Sequence, residues 1–381
     1  MALAVAIFVL VIGAALAGMA FFTAFEEERM STSTSRLAQS FGVAEEGALE
    51  VVRTWDPRLF NPHDPYPFDS STVPPGYPAE WTDAPHGTGA YGGHVYKLNG
   101  ELYFIEVAGV DRLSQGSRGF GVFQRVGVLA HVRPIVPGVA AAVTAGRGRG
   151  SRLAGSVTID GNDRLPPDWE PCGPPDSVRA GFRSSEMPAV GEGVQLRGAP
   201  DVSSAPAAPG PSAIVLGGFG YSQLVTSATT ALPGQSFLNV APAVVAGRCD
   251  ESVITNWGGS GTPGAACGGY FPVVHVLGSA VVDGGGGQGT LVVDGDLTLR
   301  GRVRWDGAVL VGGSLRAIPG PLASVGVWGA VIVGDSIVVD AGLGGSVAMT
   351  YSKCAVIKAL ETMAPVMVLP SRGWIGLADT P

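Results

Sequence analysis

The stretch MALAVAIFVLVIGAALAGMAFFTAFEEERM, residues 1–30, carries no charged side chain from Met1 to Phe25 and then places Glu26, Glu27, Glu28 and Arg29 in succession. At ~1.5 Å per residue the uncharged part makes a helix of ~37 Å, which covers a ~30 Å hydrocarbon core with some tilt. The run predicts a membrane-spanning helix. A cleaved secretory signal needs a basic n-region, an apolar segment of ~7–15 residues and a small-residue cleavage site. Here the apolar run is longer and no Lys or Arg precedes it, although Ala17-Gly18-Met19-Ala20 has the composition of such a site. A helix buried in a soluble core is the remaining reading.

Beyond Arg29 the helical pattern continues. Leu37, Phe41, Ala44, Ala48, Val51 and Trp55 recur at steps of three and four, while Arg36, Gln39, Glu45, Glu46, Glu50 and Arg53 mostly lie elsewhere around the helix. Asp56-Pro57 ends it, because the residue before a proline is pushed out of helical geometry. The expectation is one helix over residues 1–55, apolar all round in its first half and amphipathic in its second.

The body behind that helix has a different composition. Charged residues make up 15% of the chain against a usual ~25%, and 58 glycines among 381 residues are about twice the usual ~7%. Such a chain favours turns and tightly stacked strands. A net charge of −8 speaks against nucleic acid as the main ligand. Residues 56–90 are rich in Pro, Asp, Ser and Gly and read as an extended linker. Residues 91–135 read as a hairpin region packing on the body: His94 to Leu98 and Glu101 to Val107 flank Asn99-Gly100, a pair that tolerates the positive φ values of a type I′ turn. Phe120 to Val132 supplies the next strand.

Residues 136–360 hold an internal repeat. Gly289-Thr290-Leu291-Val292-Val293-Asp294-Gly295-Asp296-Leu297 aligns with the nonapeptide from Gly307 to Leu315 at an offset of 18, and that copy aligns with Gly329 to Ile337 at an offset of 22. A period of this size gives one turn of a parallel β-helix per repeat. Residues 156–161 and 194–198 are candidate further rungs, and Ala205 to Phe219 a crossing between rung groups. An antiparallel sandwich of short strands is the alternative. Thr350 to Leu360 switches from strand-like to helical character and is expected to cap an open end of the stack, with residues 361–381 following as a tail.

Four cysteines in a chain that folds outside the cytoplasm predict disulfides. Three pairings are open. Cys249 and Cys267 flank a Gly-rich loop containing Trp257 and are the favoured pair; Cys172 with Cys354 follows by elimination. No Cys-x-x-Cys occurs and the histidines are scattered, so neither a metal nor a cofactor is expected. Asp283, Asp294, Asp296 and Asp306 cluster in the repeat, mostly beside glycine, which is turn chemistry before it is a Ca²⁺ site or a polysaccharide groove. Arg302, Arg304 and Arg316 read as a solvated sheet face, and His86 and His94, with Asp83 nearby, as surface residues. Neither a phosphate loop nor a Gly-x-Ser-x-Gly elbow is present.

The residues from Ala2 to Gly13 look like the start of a mature type IV pilin-like protein. Phe25-Glu26-Glu27-Glu28-Arg29-Met30, followed by Ser40-Phe41-Gly42-Val43-Ala44-Glu45-Glu46-Gly47-Ala48-Leu49, is similar to the N-terminal segment of PilX-like type IV pilus assembly proteins. That group, minor pilin or pseudopilin-like, carries a Glu-Glu-Arg-Met step and then an aromatic-x-x-Ala-Glu-x-Ala/Gly step. Two departures stand out. Major pilins place a glutamate at the fifth mature position, where this chain has Val5 if Met1 is the first mature residue; the loss also occurs in PilX-like chains. The basic leader ending in Gly is missing before Met1, so the expectation is that numbering starts after processing or that the start lies upstream.

The resemblance implies that the N-terminal helix is pilin-like; with the β-rich composition and the repeat, the expected fold class is α+β, a long helix followed by a β-rich body that has a parallel, right-handed β-helix-like portion. The resemblance further implies a non-enzymatic minor pilin-like component of a type IV pilus or related secretion filament, spanning the inner membrane once with its body outside the cytoplasm. Its partners would be other pilin-like subunits and the inner-membrane assembly machinery. The helix-packing positions would be Val5, Gly13, Ala14, Gly18, Ala20 and Ala24; Ala14/Gly18 and Ala20/Ala24 are small pairs four apart. The alternative is a membrane-anchored β-helix surface protein, an adhesin or a polysaccharide-active enzyme. An enzyme would need Asp294, Asp296, Asp306 and Arg304 to converge on one groove.

Overall fold

The computed structural model describes residues 2–61, 82–84, 87, 89–111, 123–206, 210–211, 214–259, 265–370 and 373–377. The apolar run and its continuation form one helix, α1 (Ala2–Arg53). Threonine hydroxyls in the polar part bond back one turn, Thr32 to the Glu28 carbonyl at 2.8 Å and Thr34 to that of Met30 at 2.9 Å. These residues therefore do not break the helix. Asp56, at the expected stop, caps a short helix, α2 (Pro57–Phe60), its carboxylate accepting from the Arg58 amide at 3.0 Å.

The buried stripe of α1 is shorter than the pattern implied. Ser40, Val43, Ala44, Ala48, Val51 and Trp55 are buried, whereas Leu37 and Phe41 are each 39% exposed. The buried positions face two strands, Gly89–Lys97 and Leu102–Asp111, which pair antiparallel from Gly89 opposite Asp111 to Lys97 opposite Tyr103. Phe123–Val132 continues this antiparallel sheet on the far side of Leu102–Asp111.

The hairpin joining the first two strands is not a type I′ turn. Neither Asn99 nor Gly100 has a positive φ; instead Asn99 Oδ1 accepts the amides of Glu101 and Leu102 at 2.9 and 2.8 Å, so the side chain organises a longer connection. Nor do the described residues of the expected 361–381 tail lie free. Val366–Val368 and Trp374–Leu377 both pair with Phe123–Val132, Val366 opposite Val132 and Trp374 opposite Val128. Most of the expected linker, like Phe120 and His86, lies outside the described residues. Within it Thr82–Asp83 adds an edge strand opposite Tyr91 and Ala90.

The second sheet has sixteen strands, all paired in parallel. It is nearly closed, in three ladders whose inward side chains stack rung on rung. One column runs through Phe237, Val282, Leu299, Ala317, Val339 and Leu153. A second runs through Gly287, Trp305, Val327, Met349, Ile159 and Leu196, and a third through Leu232, Val276, Val293, Val311, Val333 and Ala145. Nearly all are buried and form one core, while the helix seat has a core of its own. This stacking is consistent with a β-helix-like portion.

The repeat offsets are rung spacings. Gly289, Gly307 and Gly329 lie in register, as do Leu297, Leu315 and Ile337. A Cβ at Gly329 would stand 1.8 Å from the Gly307 carbonyl oxygen, so this corner admits no side chain. Val157–Asp160 and Val194–Arg197 also stack on each other.

Stacking order departs from chain order. The block from Ala141 to Ser204 continues the stack beyond Ser346–Tyr351, Val347 lying opposite Val157. The chain then returns along the flank through buried Ile214 and Leu216 and a helix, α3 (Tyr221–Thr226), and re-enters at Thr230–Pro233. This order corrects the expected cap. The rung that precedes the last helix, α4 (Lys353–Glu361), is already covered by Val157–Asp160, so α4 packs on the flank, where Thr290 Oγ1 donates to the Ala359 carbonyl at 3.2 Å.

Candidate functional site

The first half of α1 touches no other part of the described protein. Its apolar side chains stand free, Leu3 at 77%, Leu10 at 73% and Phe22 at 70% exposure. Among the described residues it is the one helix long and apolar enough to cross a membrane. Gly13 and Gly18 have open space where a Cβ would sit, and Ala14, Ala20 and Ala24 are exposed. The small pairs do not share one stripe, since six residues at ~100° each put Ala20 about 240° around from Ala14. Val5 lies within α1, and its side chain is outside the described residues. The apolar half ends where the Arg29 guanidinium lies 5.6 Å from the Phe25 ring centre.

Its second half is seated by close backbone approach. A Cβ at Gly109 would stand 2.4 Å from the Ala44 nitrogen and 2.6 Å from the Ser40 oxygen, and one at Gly47 would enter the Tyr91 ring. At the end of the seat Trp55 packs on Phe60 and Tyr103, with ring centres 4.4 and 4.8 Å away, and its indole donates to Asn61 Oδ1 at 2.9 Å. Buried Asn61 in turn donates to the Ala364 carbonyl at 2.7 Å, and its own carbonyl accepts from Lys97 Nζ at 2.6 Å. One asparagine thus ties α1, the antiparallel sheet and the segment after α4 together.

A second tie is ionic. Lys358 on α4 donates to Glu101 in the hairpin turn and to Glu361, both at 2.9 Å. Burial pushes the Glu361 carboxyl up to about 7, and the Lys358 ammonium offsets this only in part. The hydrogen bond from Lys358 holds Glu101 below its ordinary value despite partial burial. Sequence reasoning missed both ties, because Asn61 and Glu101 meet partners hundreds of residues away; the spacing of Lys358 and Glu361 on one helix was the single local signal.

Of the residues weighed for chemistry, Asp283, Arg302 and Arg304 line one open trough, whereas Asp294, Asp296, Asp306 and Arg304 do not all converge on one groove. Asp294 bonds His275 Nε2 at 2.8 Å and the Tyr221 hydroxyl; burial opposes its charge, yet these two bonds lower its pKa. Asp296 accepts the Ser314 amide at 2.7 Å on the next rung, a turn role. Asp306 is fully buried on another ladder, against Arg304 Nε at 3.2 Å. Arg316 is exposed on a third face, and His94 lies beside Tyr96. Among the described residues no group of three or more His, Cys, Asp or Glu could hold a metal ion. Both disulfides are formed, Cys249–Cys267 and Cys172–Cys354, the latter fastening the 161–179 connection to the start of α4.

No family model and no curated protein matches the chain. Among solved structures it is similar to the competence-associated pilin ComZ from Thermus thermophilus, with 13% identity, 90% of this chain and 98% of that chain covered, and a TM-score of 0.29. A superposition that poor carries no argument about fold or role.

Proposed function

We propose that this chain is a minor, PilX-like pilin subunit that helps assemble a type IV pilus or related secretion filament and catalyses no reaction. The observation that carries the reading is the division of α1. Its apolar half is free of the protein's own core, while its second half is locked into a sheet by Gly109, Trp55 and Asn61. A free apolar helix with all backbone groups satisfied suits lipid, and it suits equally a bundle of similar helices. Before assembly the helix spans the inner membrane with the body outside the cytoplasm; afterwards it packs among other pilin-like helices. The body then projects as a right-handed β-helix, the hand that parallel crossovers favour. With Val5 in place of an acid, a subunit without a neighbour to meet that position buries no unpaired carboxylate.

The test places a photo-crosslinking residue at Leu10 in the full chain. The expected result is detergent-dependent extraction from membranes, crosslinks to other pilin-like subunits, and sparse recovery in sheared filaments. Crosslinks to lipid alone and absence from filaments overturn the assembly role; recovery as the most abundant filament subunit overturns the minor one.

A further inference from the structure

We infer that the body carries a binding site for an acidic sugar, a hexuronate unit of a polysaccharide, at the corner where the first ladder turns into the second. The site is an open trough of about 440 Å³, lined by Asn239, Asp283, Gly284, Gly285, Gly301, Arg302 and Arg304. That volume is in the range of small-ligand sites.

The trough is built rather than incidental. The register of Ala280–Val293 slips between Asp283 and Gly285, a bulge that pushes Gly284 out of the ladder. Opposite it Asn239 adopts a left-handed φ of 49°, and Gly284 a φ of 79°. A Cβ on Gly284 would stand 2.7 Å from Asn239 Oδ1, and one on Gly301 3.1 Å from Asp283 Oδ1. The glycines therefore leave room for the carboxamide and the carboxylate.

The donors and acceptors define the ligand. Arg304 is oriented by its bond to buried Asp306, and that carboxylate offsets its charge. Arg302 is exposed and makes no ion pair among the described residues, so it is the cation left to meet an anion. Its planar fork suits a carboxylate. Asp283 repels a simple polyanion but accepts hydroxyl protons, and Asn239 both donates and accepts. Leu238, paired opposite Asp283 on the end rung, next in the chain to the lining residue Asn239 and 71% exposed, offers an apolar surface at the edge of the trough for the C–H face of a ring. One carboxylate, several hydroxyls and an apolar face together describe a uronate.

This inference does not depend on the filament reading. The test titrates full-length protein in detergent micelles with trigalacturonate, and with maltotriose and inorganic phosphate as references, by calorimetry. Saturable binding of trigalacturonate alone is expected, weakened about tenfold in R302Q and about fivefold in N239A and unchanged in R147Q, with all variants melting as the parent does. Absence of trigalacturonate binding, equal binding of maltotriose or phosphate, or parental affinity in R302Q overturns the site.

Discussion

Glu361 is the residue whose chemistry most clearly links the two halves of the body. The residue is 8% exposed, and its pKa rises to about 7 from an ordinary 4.5 because burial disfavours the charge. A raised carboxylate binds more protons folded than unfolded, so its contribution is full below the ordinary value and is lost as pH climbs through the folded one. The shift corresponds to a loss on the order of 3 kcal/mol between about pH 4.5 and 7 at most. Glu101 and Lys358 shift in the opposite sense, favouring their charged forms, and do not add to this slope. Glu361→Gln keeps a hydrogen-bonding group toward Lys358 but removes the proton linkage. Denaturant unfolding of parent and variant at pH 5 and pH 8 checks this: the parent should lose stability relative to E361Q as pH rises, and identical slopes would sink the account.

At the scale of elements, the seat of α1 rests on absent side chains. Gly109→Ala forces a Cβ into the backbone of Ala44 and Ser40, where nothing flexible can yield, and should cost about 3 kcal/mol or more. Gly42→Ala, on α1 itself and facing open space, should instead stabilise by up to about 1 kcal/mol through helix propensity. Thermal unfolding of the two variants decides the matter; equal effects would mean that the close approach is not holding the helix. Neither outcome could be read from the sequence, where both residues are glycines in regular elements. What was legible was periodicity: the Gly289, Gly307 and Gly329 copies fall on one corner because identical rungs repeat identical constraints. The two C-terminal strands were not legible. Val-Met-Val and Trp-Ile-Gly-Leu are too short to show alternation, and they become strands only because Phe123–Val132 presents a free edge. Leu37 and Phe41, each 39% exposed, show a different limit: helical periodicity marks a stripe without saying over what length a partner covers it.

For the whole molecule, the order of the stack decides which parts hold together longest. In a quasi-one-dimensional array each rung is stabilised by its neighbours, so rungs covered on both sides open last. Chain order alone would put the block from Ala141 to Asp160 at a terminus of the stack. The pairing of Val347 with Val157 and of Val331 with Val143 places it in the interior instead. Among the described residues the true ends are Ala189–Val190, Val194–Arg197 and Val202–Ser204 on one side and Thr230–Pro233 with Ser236–Val240 on the other. Hydrogen exchange on the full-length protein should therefore find amides of Ala141–Ala145 and Val157–Asp160 protected nearly as long as those of Leu297–Val311, and both far longer than Val194–Arg197. Each missing neighbour removes a ladder of backbone bonds and one face of apolar packing, so exchange at the ends should be faster by about two orders of magnitude or more, as about 3 kcal/mol of lost local stability requires. If Ala141–Asp160 exchanged as fast as the ends, that block would be an independent appendage, and the interrupted chain path would lose its physical sense: the last sequence rung, Ser346–Tyr351, would then be an exposed edge that α4, lying on the flank, leaves uncovered.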